Sequence, residues 1–272
     1  MFPPAAQTVT YLFVDGECLN CMLDKIGERY FGKVRPFLDW GRVRGVHRKV
    51  FYYDAIPVQK PGEDDTTHST RVAPKRRELA EIERQLRYHV RTGETHHRRR
   101  RGNEQKMVDV QLAVDALLMA SRGLFASCTL LTGDLDFKPL VTALVDMGVD
   151  VQLLYPEDET NDDLKVATDS ADALTVATFR QWFSDSFSQK ALLPDAVFTF
   201  QSDVKTHSTK LTQWHDDRYG DCYVANDASI FELITQRSPQ NPNTHRLEMK
   251  SSNEVALRAY AEDVFSLIVP TW

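Results

Sequence analysis

Four short apolar runs, each followed by a stretch with helical spacing, constrain this chain most. They are "TVTYLFV" (8–14), "KVFYYDA" (49–55), "SCTLLTG" (127–133) and "VDVQLLY" (149–155). Runs of this length without polar alternation predict strands buried on both faces, as in a parallel sheet. After the first run, Leu19, Met22, Leu23, Ile26 and Tyr30 recur at helical intervals, and Leu79, Ile82, Leu86 and Val90 predict a helix from Pro74 to Val90. "MVDVQLAVDALLMAS" (107–121) is apolar nearly all round and predicts a well-buried helix, with Asp109 one turn in and Ala113 and Ala116 on its face. "DFKPLVTALVDMG" (136–148) carries an Asp cap, an early Pro and a terminal Gly. Strands alternating with helices predict an α/β fold, a parallel sheet sandwiched by helices.

The pattern runs to Phe187, so the first domain is expected over 1–187. Within it "PVQKPGEDDTTHSTRVAPK" (57–75) has no apolar period and predicts a mobile loop. From Ala191 the style changes. "DCYVAN", "SIFELITQ" and "HRLEMKSS" predict three strands, and "NEVALRAYAEDVFSLIV" a closing helix. These make a small C-terminal α+β domain over 191–272.

With 42% hydrophobic and 26% charged residues, the 272-residue chain has the composition of a soluble globular protein. It has no apolar run long enough for a membrane span, and its start lacks the basic and apolar segments of a secretory signal. Four unevenly spaced cysteines do not form a disulfide framework, so a cytoplasmic location is expected. The net charge of −6 is polarised: Lys75 to Arg101 is basic, whereas "YPEDETNDD" (155–163) is acidic.

Ligands of open parallel sheets gather at the carboxyl ends of the strands. Asp15 and Asp54 end the first two runs, and Asp134 follows Thr132-Gly133 after the third, with Asp136 two residues on. Singly, Asp15 reads as a turn residue and Asp136 as an N-cap. Together with Asp109 they pose an electrostatic problem, since two unit charges roughly 5 Å apart repel by roughly 3 kcal/mol at an effective dielectric near 20. Protonation or a cation must relieve it, and an all-oxygen set suits Mg²⁺ or Mn²⁺.

"FVDGE" (13–17), "KMVDVQLAVDAL" (106–117) and "LLTGDLDFKPLV" (130–141) resemble, in motif and order, the NYN domain family, in its LabA-like branch of the PIN-like nucleases. "VFYYDA" resembles that family's second strand. The resemblance covers about Val9 to Phe187 and implies a PIN-like, Rossmann-like sheet and a metal-dependent ribonuclease. Asp15, Asp109, Asp134 and Asp136 would be the catalytic, metal-holding set, with Lys106, Asp115, Thr132, Asn20 and Glu17 supporting. Cys18 stands where the family carries Asn, Met107 where it carries Gly, and Thr132 where it carries Ser.

Arg77, Arg84 and Arg91 are seven apart and would line one side of the Pro74–Val90 helix. With Arg98, Arg99, Arg100 and Arg101 they form a candidate track for the phosphate backbone of single-stranded or structured RNA. Tyr52, Tyr53 and Tyr88 are candidate stacking surfaces for bases. Three rivals share the same residues. A thiol enzyme would use Cys18-x-x-Cys21, yet the pattern around it is not thioredoxin-like. A haloacid-dehalogenase-like phosphatase would need Asp where Glu17 stands. A PIN-like domain that binds RNA or a partner without cutting is the third. The C-terminal domain would select substrate, dimerise or dock a protein.

Overall fold

The computed structural model describes residues 9–93, 103–157, 160–189, 193–201, 209–227 and 229–272, with the side chains of 103–106 and 227 excepted. The described chain forms two compact units. The first comprises the chain up to Met22 and Leu38–Thr175; the second comprises Leu23–Phe37 and Val176–Trp272.

In the first unit the elements run β1 (Thr10–Asp15), α1 (Gly16–Tyr30, whose later turns belong to the second unit), α2 (Trp40–Arg44), β2 (Lys49–Asp54), α3 (Asp65–Glu83) and β3 (Tyr88–Thr92). They continue with α4 (Asn103–Ser121), β4 (Ser127–Leu131), α5 (Lys138–Asp146), β5 (Asp150–Pro156), α6 (Asp162–Val166) and β6 (Ser170–Leu174). All six strands are parallel, in the order β3-β2-β1-β4-β5-β6. This is the parallel α/β sheet expected from the four apolar runs. Successive residues of β1 are buried on opposite faces, so Tyr11, Leu12, Phe13 and Val14 are each 6% exposed or less. On one face Phe13, Phe51, Leu130 and Leu153 pack with Leu112 and Ala116 of α4 and Leu140 and Leu144 of α5.

Several local expectations fail, each for a physical reason. The segment 57–75 is not one loop. Asp64 caps α3 by accepting from Thr66 N and Thr67 N, both at 2.9 Å, and the helix continues through Pro74. Arg71 Nε bonds Glu63 at 2.7 Å and its Nη2 bonds the Val58 carbonyl at 2.7 Å, fastening the preceding turn. The expected Pro74–Val90 helix ends at Glu83, because Arg87 adopts φ 72° and turns the chain into β3. Val90 there pairs with Tyr52, and Leu86 is 76% exposed. Apolar residues four apart imitate a helix, but Tyr88, Val90 and Thr92 are β-formers at period two. β3 and β6 were not anticipated.

Nor is α4 buried all round. Val108, Leu112, Ala116 and Ala120 face the core, whereas Met107, Val110, Val114 and Leu118 are 45% exposed or more. A helix lying on one side of a sheet covers only one of its stripes.

The second unit contains the later turns of α1, α7 (Val176–Trp182), α8 (Asp185–Ser188) and α9 (Glu254–Phe265). Its five antiparallel strands are β7 (Asp195–Phe200), β8 (Lys210–Asp216), β9 (Gly220–Asp227), β10 (Ile230–Thr235) and β11 (His245–Ser251), in the order β7-β11-β10-β9-β8. The three expected strands are β9 to β11; β7 and β8 add to them. Phe31, Phe183 and Phe187 form an aromatic cluster, and Arg29 bridges Asp263 at 2.6 Å and Glu262 at 2.9 Å. No helix among the described residues is long and apolar enough to cross a membrane.

The two faces of α4 give a direct stability contrast. Leu112→Ala is expected to cost about 2–5 kcal/mol, and Val114→Ala about 0.5 kcal/mol or less, in urea unfolding. Equal losses would contradict the one-sided burial.

Candidate active site at the carboxyl edge of the parallel sheet

The strand order reverses direction between β1 and β4: the chain builds β2 and β3 to one side, β5 and β6 to the other. At such a switch point the loops diverge and leave a crevice at the carboxyl ends. Asp15 closes β1 on this crevice. Its Oδ1 accepts from Glu17 N at 3.1 Å and Cys18 N at 3.2 Å, capping α1, and its Oδ2 accepts from the Thr132 hydroxyl at 2.8 Å. Burial raises the Asp15 pKa above the ordinary value; the hydrogen bonds from Cys18, Thr132 and Glu17 oppose this, and the charge of Asp134 adds to it. Thr132, fully buried after β4, also accepts from Asp134 N at 3.2 Å. One hydroxyl therefore ties Asp15 to the Asp134 backbone.

Asp134 accepts from Asp136 N at 2.9 Å and so caps a 3-10 turn, Leu135–Phe137, that leads into α5. The cap expected of Asp136 belongs to Asp134, and α5 starts with no side-chain cap, with Pro139 in its first turn. Asp109 lies almost two turns into α4 rather than one, because the helix begins at Asn103. Its pKa is pushed up to about 7, first by burial, then by the charges of Asp15, Asp134, Glu17 and Asp136. Asp109 thus senses the charges of Asp15, Asp134 and Asp136, which are remote from it in sequence. Glu17 joins them: burial and then Asp15, Asp54 and Asp134 raise its pKa, and Lys75 lowers it.

The β2 side of the crevice is built around Asp54, which the sequence placed at a strand end but outside the metal-holding set. Asp54 is 7% exposed; its Oδ2 accepts from Lys75 Nζ at 2.6 Å, Asn20 Nδ2 at 2.9 Å and Tyr52 OH at 3.4 Å, and its Oδ1 from Ala55 N at 2.8 Å. Asn20 therefore supports Asp54. A Cβ on Gly16 would lie 2.6 Å from the Tyr53 carbonyl and 2.7 Å from Asp54 Oδ2, so only glycine lets β1 and β2 deliver their carboxylates side by side. The signal available for Asp54 was its place at a strand end. Asp115 accepts from Tyr53 OH at 3.1 Å and lies 3.6 Å from Arg91 Nε.

The basic residues do not form one helical stripe. Arg77 is exposed on α3, Arg84 is its C-terminal cap, and Arg91 lies in β3, over the Phe51 ring. Arg98, Arg99, Arg100 and Arg101, and the Lys106 side chain, lie outside the described residues. Tyr52, Tyr53 and Tyr88 are 0, 1 and 5% exposed and belong to the core, which removes them as base-stacking surfaces.

All the acidic donors are oxygens, the chemistry of Mg²⁺ or Mn²⁺, and burial, with the charges of the other acids adding to it, disfavours an ionised Asp109. Among the described residues no three Asp, Glu, His or Cys side chains are close enough to hold one ion as they stand. Asp134 and Asp136 are exposed.

The family model of the NYN domain matches residues 9–174. Among solved structures, the chain is similar to a protein of unknown function, VPA0982, from Vibrio parahaemolyticus RIMD 2210633. The two share 17% identity at a TM-score of 0.48, over 67% of this chain and 100% of that one. No curated protein matches.

The acid cluster predicts a pH signature in chelator. The folded state holds a proton on Asp109 between about pH 4 and 7 that the unfolded chain releases, so its contribution to stability falls as pH rises through this window. Asp109→Asn removes that loss. The difference in Tm, variant minus parent, is expected to grow from pH 4.5 to 7.5; a constant difference would show that Asp109 titrates normally.

Proposed function

The chain belongs to the NYN family, a PIN-like, nuclease-type domain, and on that premise we propose that it is a metal-dependent ribonuclease. The observation that carries this reading is geometric: Asp15, at the end of β1, is joined through the Thr132 hydroxyl to the Asp134 backbone at the switch point of the sheet. Asp15, Asp109, Asp134 and Asp136 would hold Mg²⁺ or Mn²⁺. When bound, such an ion activates water and neutralises charge building on a phosphodiester. Thr132 fixes Asp15 against the Asp134 backbone, so two of the four are positioned in advance. Asp109, near half-protonated at neutral pH, would give up its proton as the cation enters. Glu17 lies at the mouth as an outer acidic helper.

RNA is the proposed substrate class. Exposed Arg77 and Arg84, with the basic run 98–101, would meet its backbone phosphates. The described cysteines are free thiols, which fits a reducing cytoplasm. The C-terminal unit is proposed to select substrate or to dock a second copy or another protein. A second reading, an RNA binder that does not cut, draws on Cys18 at the family's Asn position and on the open spacing of the acids.

Purified protein incubated with single-stranded RNA, a tRNA-like RNA and DNA, in Mn²⁺ or in chelator, separates the readings. Cleavage of RNA in Mn²⁺ alone is expected. Asp15→Asn and Asp134→Asn should each lose more than the roughly 10–100-fold that outer-shell changes cost; full activity in both would place the chemistry elsewhere. Binding without cutting under every metal condition would establish the binder.

Binding should also weaken steeply between about 50 and 200 mM salt. Indifference to salt in a filter-binding titration would remove the arginines from the contact.

A further inference from the structure

Three rings stack across the parallel sheet, and the last of them stands at its edge. Phe13, Phe51 and His89 lie in register on β1, β2 and β3. Phe13 and Phe51 are 5.4 Å apart at 16°, and Phe51 and His89 are 5.0 Å apart at 23°, close to the spacing between strands. Phe51 is buried between its two neighbours, whereas His89 is half-buried, because β3 is an edge strand. Among the described residues no further ring stacks on His89, and neither of its ring nitrogens has a hydrogen-bond partner. Burial, then the charges of Lys49 and Arg91, lowers the His89 pKa against the opposing charge of Glu83, so the ring is neutral at pH 7.

Two cations flank this ring on the same face of the sheet. Arg91 follows His89 by two residues on β3; its Cζ lies 5.9 Å from the Phe51 ring centre and its Nε 3.6 Å from Asp115, which accepts from Tyr53 OH at 3.1 Å. Lys49 precedes Phe51 by two residues on β2, with Nζ 5.9 Å from the Tyr11 ring centre. Arg91 is in register with Tyr53 and hence with Asp15, about 10 Å away across two strands.

We propose that His89 is a stacking site for one unpaired base of single-stranded RNA, with Arg91 and Lys49 meeting the phosphates on either side of it. A base laid on the outer face of His89 continues the Phe13–Phe51–His89 stack as a fourth ring. It does so without sequence preference, because every base has a π-face. The bases of a duplex are already stacked on one another and cannot enter in this way. The inference rests on the RNA reading above and deepens it by choosing unpaired RNA; it requires no cleavage.

The test is binding of a short oligouridylate, with 2-aminopurine placed at each position in turn, to the full chain in chelator. Binding is expected to quench the probe at one position, where the base stacks. His89→Leu keeps apolar bulk over Phe51 but has no ring. It is expected to leave the probe bright and to bind at least about fivefold more weakly, the lower end of what one base–aromatic stack contributes. His89→Tyr should keep the quenching and bind within about threefold of the parent. Arg91→Gln and Lys49→Gln should each lower the salt slope of log K by about 0.7, whereas His89→Leu should leave it unchanged. Binding by the parent without quenching at any position would overturn the inference and leave the RNA reading standing, whether or not the variants fold. Quenching retained in folded His89→Leu would overturn it as well. No RNA binding by the parent would remove the RNA reading and this inference together.

Discussion

The Thr132 hydroxyl is the small group on which the acidic mouth depends. It donates to Asp15 Oδ2 and accepts from Asp134 N, joining the end of β1 to the segment after β4 where the strand order reverses. β1 and β4 already pair as far as Val14 and Leu131, and this hydroxyl extends the tie to the Asp134 backbone. With it, negative charge is concentrated where loops diverge and solvent enters. Burial raises the pKa values of Asp15, Glu17 and Asp109, and the charges of the other acids add to the rise. Sites that do chemistry store this kind of unfavourable charge because a cation or substrate then gains by relieving it.

The mouth is not uniformly acidic. Gly16 permits Asp15 and Asp54 to lie side by side, and Lys75 balances the second of these. Among the described residues, the crevice is therefore graded from a β2 side balanced by Lys75 to a β4 side whose acids have no ion-pair partner.

Much of this was legible in the chain. Asp15 and Asp134 could be placed because strand ends are readable from apolar runs, and ligand sites in parallel sheets lie at strand ends. Less legible were elements whose local signals conflict. Residues 82–92 carry both a four-residue apolar spacing and the β-formers of β3, and the left-handed Arg87 decides between them. The Arg77–Arg84–Arg91 stripe dissolved for this reason. Asn20 was expected in a supporting role by resemblance, and its side chain donates to Asp54, 34 residues away.

By itself, the sequence determined the parallel α/β sheet, the NYN motifs and the identity of the acidic residues, because buried runs, caps and strand ends are local properties. Only the tertiary structure decided that Lys75 leaves the basic segment to pair with Asp54 and that Tyr52, Tyr53 and Tyr88 are core. It also decided that α4 exposes one of its two apolar stripes. Those outcomes depend on which surfaces meet across long chain separations, and a charge or a ring carries no local mark of the partner it will find.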